Sequence, residues 1–153
     1  MLKPNYSRFV LIFFLISSLA FTPGRSSTDK LTEDVLKYTN QFRKSKGLKA
    51  VEMREDLNAI ARKHSNDMAS GRCSFGHDGY DLRVSKIKKT IKPCDGNIGE
   101  NVAFGASNGK EAVDVWKNSS AHRKNMLGDY KYIGIGTARN RQGVIYYTQI
   151  FVR

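Results

Sequence analysis

The chain has 153 residues, with 26 Lys and Arg against 14 Asp and Glu and a formal charge of +12, which bounds it to one modest domain with a strong positive excess. Forty per cent apolar residues, 10% aromatics and three prolines exclude a disordered basic tail or a low-complexity polymer. Charge of this size favours solubility and non-specific attraction to anions but does not dictate a fold, so its placement along the chain matters more than its sum.

Lys3 and Arg8 precede an uncharged run over 9–21 and a small, polar stretch over 22–27. This is the layout of a secretory signal peptide over 1–26, followed by a domain over 27–153. The 13 apolar-run residues fall short of the roughly 20 that a spanning helix needs. A buried core helix and an uncleaved anchor are the alternatives. Export predicts a secreted or cell-envelope protein with no transmembrane span in its mature form. Removing Lys3, Arg8 and Arg25 leaves 23 basic against 14 acidic residues, a charge of +9.

Leu31, Val35, Tyr38 and Phe42 at helical spacing predict an amphipathic helix over 28–46, stopped by Gly47. Leu57, Ile60, Ala61, His64 and Met68 share the face of a second helix over 54–70, which places His64 in the core with a satisfied hydrogen bond. Cys73 and Cys94 are the two cysteines. An even count in an exported chain suggests one disulfide, while a metal site or two free thiols also fit the number. A bridge closing roughly 20 residues would contribute on the order of 3 kcal/mol in the chain-entropy account. Residues 71–80 read as a loop and 81–89 as a short helix. Arg83, Lys86, Lys88, Lys89 and Lys92 form the densest positive run, read as a solvated face or an anion-binding surface, with Val84, Ile87 and Ile91 anchoring its other side.

Residues 98–104 (IGENVAF) are a strand or extended segment. A helix from 107 or 108 carries Ala112, Val113, Trp116 and Ala121. Runs at 131–138 and 144–152 are strands joined by Arg139-Asn140-Arg141-Gln142-Gly143. The last strand is apolar on both faces, so helices cover the sheet on both sides. The predicted fold class is α/β (α+β), a three-layer α-β-α sandwich with a central, largely antiparallel sheet.

Three polar motifs stand out: Phe75-Gly76-His77-Asp78-Gly79, Gly99-Glu100-Asn101-Val102-Ala103, and Trp116-Lys117-Asn118-Ser119-Ser120-Ala121-His122-Arg123-Lys124-Asn125. Their order, followed by Ile133-Gly134-Ile135-Gly136 and Tyr147-Thr148-Gln149-Ile150-Phe151, resembles the CAP superfamily. This superfamily of SCP domains takes in cysteine-rich secretory proteins, antigen 5 and plant pathogenesis-related class 1 proteins. The likeness is to its bacterial branch and extends over 28–153. It implies an α-β-α sandwich whose central cleft carries two histidines and two glutamates. By motif, His77, Glu100 and His122 match three of these four. The second glutamate is missing, since Asn118, Ser119 and Ser120 follow Trp116. The resemblance also implies secreted binding modules, with lipid or sterol among their ligands.

Two neutral imidazoles and a carboxylate are a suitable ligand set for zinc, leaving a position for water, whose pKa the metal would lower towards about 7. His77 and His122 are thus candidate metal ligands, and His77, Glu100 and His122 candidate catalytic residues. Catalytic zinc also depends on surrounding groups, and Asp78 is the one the sequence offers. Ser119 or Ser120 with His122 as base would make a serine hydrolase, but no nucleophile elbow is present. The plainer alternative is a buried polar network, with Asn118 helping to satisfy it. Two functions follow. The first is an extracellular binding module for a lipid, a sterol or an anionic cell-surface polymer. The second is a zinc hydrolase of peptides or cell-wall material. Specific nucleic-acid binding is not expected, because the positive residues are spread over several elements with no reading motif.

Overall fold

The computed structural model describes residues 27–92 and 94–153, so the expected signal peptide lies outside the described residues. The order is α1 (Ser27–Ser45), β1 (Glu52–Met53), α2 (Glu55–Ala69), α3 (Tyr80–Thr90), β2 (Ile98–Phe104), α4 (Gly109–Asn118), α5 (Ser120–Met126), β3 (Tyr132–Arg139) and β4 (Ile145–Val152). The four strands form one sheet in the order β1-β3-β4-β2. β1 runs parallel to β3, and the other pairings are antiparallel. No helix among the described residues is long and apolar enough to cross a membrane.

Strand alternation sends successive side chains to opposite faces of the sheet, and each face has its own core. On one, Ile133 and Ile135 of β3 and Tyr147 and Phe151 of β4 pack with Leu31, Val35, Trp116 and Met126 from α1, α4 and α5. On the other, Ile150 and Val152 meet Leu57, Ile60 and Ala61 of α2 and Ile87 of α3, together with Ile91. The result is the expected α-β-α sandwich.

α1, α2 and β2 lie within a residue or so of the spacing-derived bounds. The helix carrying Trp116 does not continue to Ala121. Ser119 takes an extended conformation, φ −98° and ψ 125°, which splits the run into α4 and α5 and leaves Ala121 exposed. The expected disulfide is not formed: Cys73 and Cys94 are both free thiols, each half-buried, and Cys94 packs against the α2–α3 core.

β2 is an edge strand, and its free edge is sealed. Carbonyls of Ile98, Glu100 and Val102 point away from β4 and accept from the Tyr80 hydroxyl at 2.9 Å, Asn125 Nδ2 at 3.0 Å and Trp116 Nε1 at 3.0 Å. Side-chain donors from α3, α5 and α4 thus satisfy the row of acceptors that would otherwise invite another strand. This seal fixes the helices around Glu100.

Candidate functional site

Alternation along β2 turns Glu100 towards α2 and α3, and Asn101 towards α1 and α5. Glu100 is 5% exposed, and an unpaired carboxylate there would be costly. Arg83 of α3 supplies the partner as a fork, with Nη2 2.6 Å from Oε1 and Nε 2.7 Å from Oε2, the bidentate geometry for which guanidinium is suited. His77 Nδ1 lies 2.9 Å from Oε1. A carboxylate accepts only, so the Nδ1–H donates and the lone pair of the imidazole is left on Nε2. Arg83 also holds the loop bearing His77, donating to the Asp78 carbonyl at 2.7 Å.

His64 sits beneath this group, 3% exposed. Its Nε2–H donates to the Gly76 carbonyl at 2.9 Å and lies 4.0 Å from Glu100 Oε1. It is the satisfied core histidine that its helical face implied. On the far side of β2, Asn101 donates to the His122 carbonyl at 3.2 Å and to Gln149 Oε1 at 3.1 Å. Gln149 donates in turn to Thr39 at 2.8 Å, and Asn125 to Asn101 Oδ1 at 2.9 Å. This chain fixes the main chain of α5 and with it the place of His122. His122 Nδ1 is buried and has no hydrogen-bond partner. A buried polar atom without a partner is rare and calls for an explanation.

Burial pushes His64 below its ordinary value, opposed by the Gly76 hydrogen bond and by Glu100, with Arg83 and His77 adding to the depression. Burial also lowers His122, helped by the nearness of His77. A histidine depressed on folding favours the native state above its unfolded pKa of 6.5 and loses that contribution as pH falls through the lower folded value. The unfolding free energy should therefore fall as pH is lowered below about 6.5, by at most about 1.4 kcal/mol per pH unit for one proton, and thermal midpoints with it. His64→Gln keeps a donor for Gly76 and should flatten the curve. An unchanged pH slope in that variant would remove His64 as the cause.

The sequence model of the cysteine-rich secretory protein (CAP) family matches residues 36–151. The chain belongs to the CAP family. Among CAP relatives, it is 33% identical over 129 residues to the uncharacterized membrane protein YlbC of Bacillus subtilis, covering 79% of this chain and 34% of that protein. It is 32% identical over 117 residues to YkwD of the same organism, covering 75% and 45%. An extracellular SCP-domain protein of Bacillus anthracis superposes with a TM-score of 0.71 at 27% identity, covering 82% of this chain and 41% of that one. The chain thus spans less than half the length of these relatives.

Within the CAP fold, His77 and Glu100 are in direct contact, while His122 approaches from α5. Both carboxylate oxygens of Glu100 are occupied, and among the described residues no three His, Cys, Asp or Glu side chains converge to hold a metal ion. No hydrogen bond joins Ser119 or Ser120 to His122, and Asn118 is exposed, outside the network assigned to it. Asn101, Asn125 and Gln149 form that network instead. Arg83 was hidden in a run of surface charge, although its neighbours Lys86, Lys88 and Lys89 are indeed exposed. The one available signal was its place on α3, three residues past Tyr80 and thus on the same helical face.

Proposed function

We propose that the protein is an exported binding module of the CAP family whose cleft, between His77 and His122, takes an extracellular ligand of anionic or lipidic character or a divalent metal ion. The observation that carries this reading is His122 Nδ1, buried without a partner near a second imidazole whose tautomer is set by Glu100. An orphaned ring nitrogen beside a carboxylate-oriented histidine fits a zinc-type ion. His77 Nε2 and His122 Nδ1 would hold the metal, and Glu100 would orient His77. Bound zinc would supply a Lewis acid.

Binding is favoured over hydrolysis because the Arg83 fork occupies Glu100. The carboxylate next to His77 in the chain, Asp78, is exposed.

Calorimetric titration with Zn²⁺ at pH 7.5 should give one site in the wild type, lost in His77→Ala and in His122→Ala. The Asn101 bond to the residue-122 carbonyl is unaffected by the latter change, so the fold should persist. A wild type that takes up no zinc would remove the metal from the proposal. A zinc-loaded protein that cleaves peptides or cell-wall material, with the activity lost in His122→Ala, would make it a hydrolase instead.

A further inference from the structure

Among the described residues, five large apolar side chains are exposed: Met53, Phe75, Leu82, Phe104 and Val115. Single exposed apolar residues are ordinary, but Phe75 and Phe104 touch each other. Their ring centroids are 4.6 Å apart at 62°, and Phe104 stacks on Tyr146 at 5.7 Å and 21°. Phe75 is 47% and Phe104 54% exposed. The three rings come from the loop before His77, the end of β2 and the start of β4, so the fold gathers them from distant parts of the chain.

Tyr146 also lines a groove of about 1000 Å³ between α2 and the β3–β4 turn. Its walls carry Arg62, Lys63, Arg72, Arg139 and Arg141 against a single acid, Asp67. Asp67 is already paired with Lys63 at 2.6 Å and Arg72 at 2.7 Å. Arg141 has no ion-pair partner among the described residues. Arg139 and Arg141 line the same groove as Tyr146, so positive charge and an aromatic ring share one surface. Neither His77 nor His122 lines it.

We infer that this groove binds an acidic polysaccharide, a chain of pyranose rings carrying carboxylates. One sugar ring would lie against the Phe75–Phe104–Tyr146 cluster, and neighbouring carboxylates would meet the arginines. The negative faces of aromatic rings attract the weakly positive C–H face of a sugar. Guanidinium matches carboxylate in a two-bond fork. Such a ligand carries rings and charges along one chain, as a groove lined by Tyr146 and by arginines requires. Single-stranded nucleic acid also combines stacking with charge, but it uses aromatic rings for successive bases. Here the three rings form one cluster at one end, a place for a single ring.

The test is calorimetric titration of the full mature chain with polygalacturonate oligomers, with dextran as a neutral comparator and poly(dT) as the nucleic acid. Polygalacturonate should bind, more weakly as salt is raised. Phe104→Ala and Phe75→Ser should each weaken it about tenfold, the scale of one lost ring stack, and Arg141→Glu should weaken it as well. Thermal melting establishes that each variant is folded, which the exposure of these side chains favours. The inference is overturned by any of four results: no binding of polygalacturonate, equal binding of dextran, affinity indifferent to both aromatic substitutions, or tighter, Phe104-dependent binding of poly(dT).

Discussion

Arg83→Leu is expected to remove about 3–5 kcal/mol of folding stability, the usual cost of stranding one member of a buried ion pair. Glu100 has a side chain 2% exposed and Arg83 one 12% exposed, so the substitution leaves a buried carboxylate without its charge partner. The same substitution frees the Asp78 carbonyl, held at 2.7 Å, and with it the loop that presents His77. For a domain of this size the loss corresponds to a fall of roughly 10–20 °C in Tm. Arg83→Lys should recover only part of it, because an ammonium cannot span both carboxylate oxygens. The decisive comparison adds Glu100→Gln. With the charge gone, the double variant should lie well above the sum of the two single losses in urea titrations. An Arg83→Leu protein within 1 kcal/mol of wild type, the range of exposed pairs, would mean that the pair is a surface ornament.

Arg83 also shows where sequence reading stops. Helical periodicity locates α1 and α2, each of which buries one repeating face, and apolar, β-branched runs bounded by turn residues locate β2 and the final hairpin, buried on both faces. β1 has two residues, Glu52 and Met53, both exposed, and no period exists to be read. The break at Ser119 carries no glycine or proline to mark it, although α4 and α5 each send one donor, Trp116 and Asn125, to the β2 edge. In the site, His77, Glu100 and His122 are visible through the order of three polar motifs that resembles the CAP pattern, each motif being weak alone. Their roles are not. Whether Glu100 faces a metal or an arginine depends on which of five nearby cations turns inward, and charge runs do not encode direction. Cys73 and Cys94 carry a count, and a count does not give a distance.

Gly136→Ala is expected to be as damaging as the loss of Arg83, or worse, by an unrelated mechanism. A Cβ at position 136 would stand 2.1 Å from Arg62 N and 2.2 Å from Ala61 C, both main-chain atoms of α2. Gly134 is in the same position, 2.5 Å from the Leu57 main chain. Ile133 and Ile135 point into the opposite core, so the alternating Ile-Gly-Ile-Gly pattern puts bulk on one face and bare backbone on the other. α2 lies directly on that bare surface. Ser65 Oγ donates to the Gly136 carbonyl at 2.9 Å and Asn58 Oδ1 accepts from Ile135 N at 2.8 Å, bonds that exist only at this close approach. A methyl group must lift the helix as a unit, since its backbone has no rotamer to change, and lifting it breaks both bonds and unpacks Leu57 and Ala61. Overpacking alone costs about 1–3 kcal/mol; with two buried hydrogen bonds at about 1 kcal/mol each, the total approaches 3–5 kcal/mol. Gly143→Ala is the matched control. Nothing lies within 4 Å of its Cβ, but its φ of +81° is unfavourable for alanine by about 1–2 kcal/mol. Denaturant midpoints should therefore fall much further for Gly136→Ala than for Gly143→Ala. Equal losses would show that backbone conformation, and not the contact between α2 and β3, sets the need for glycine.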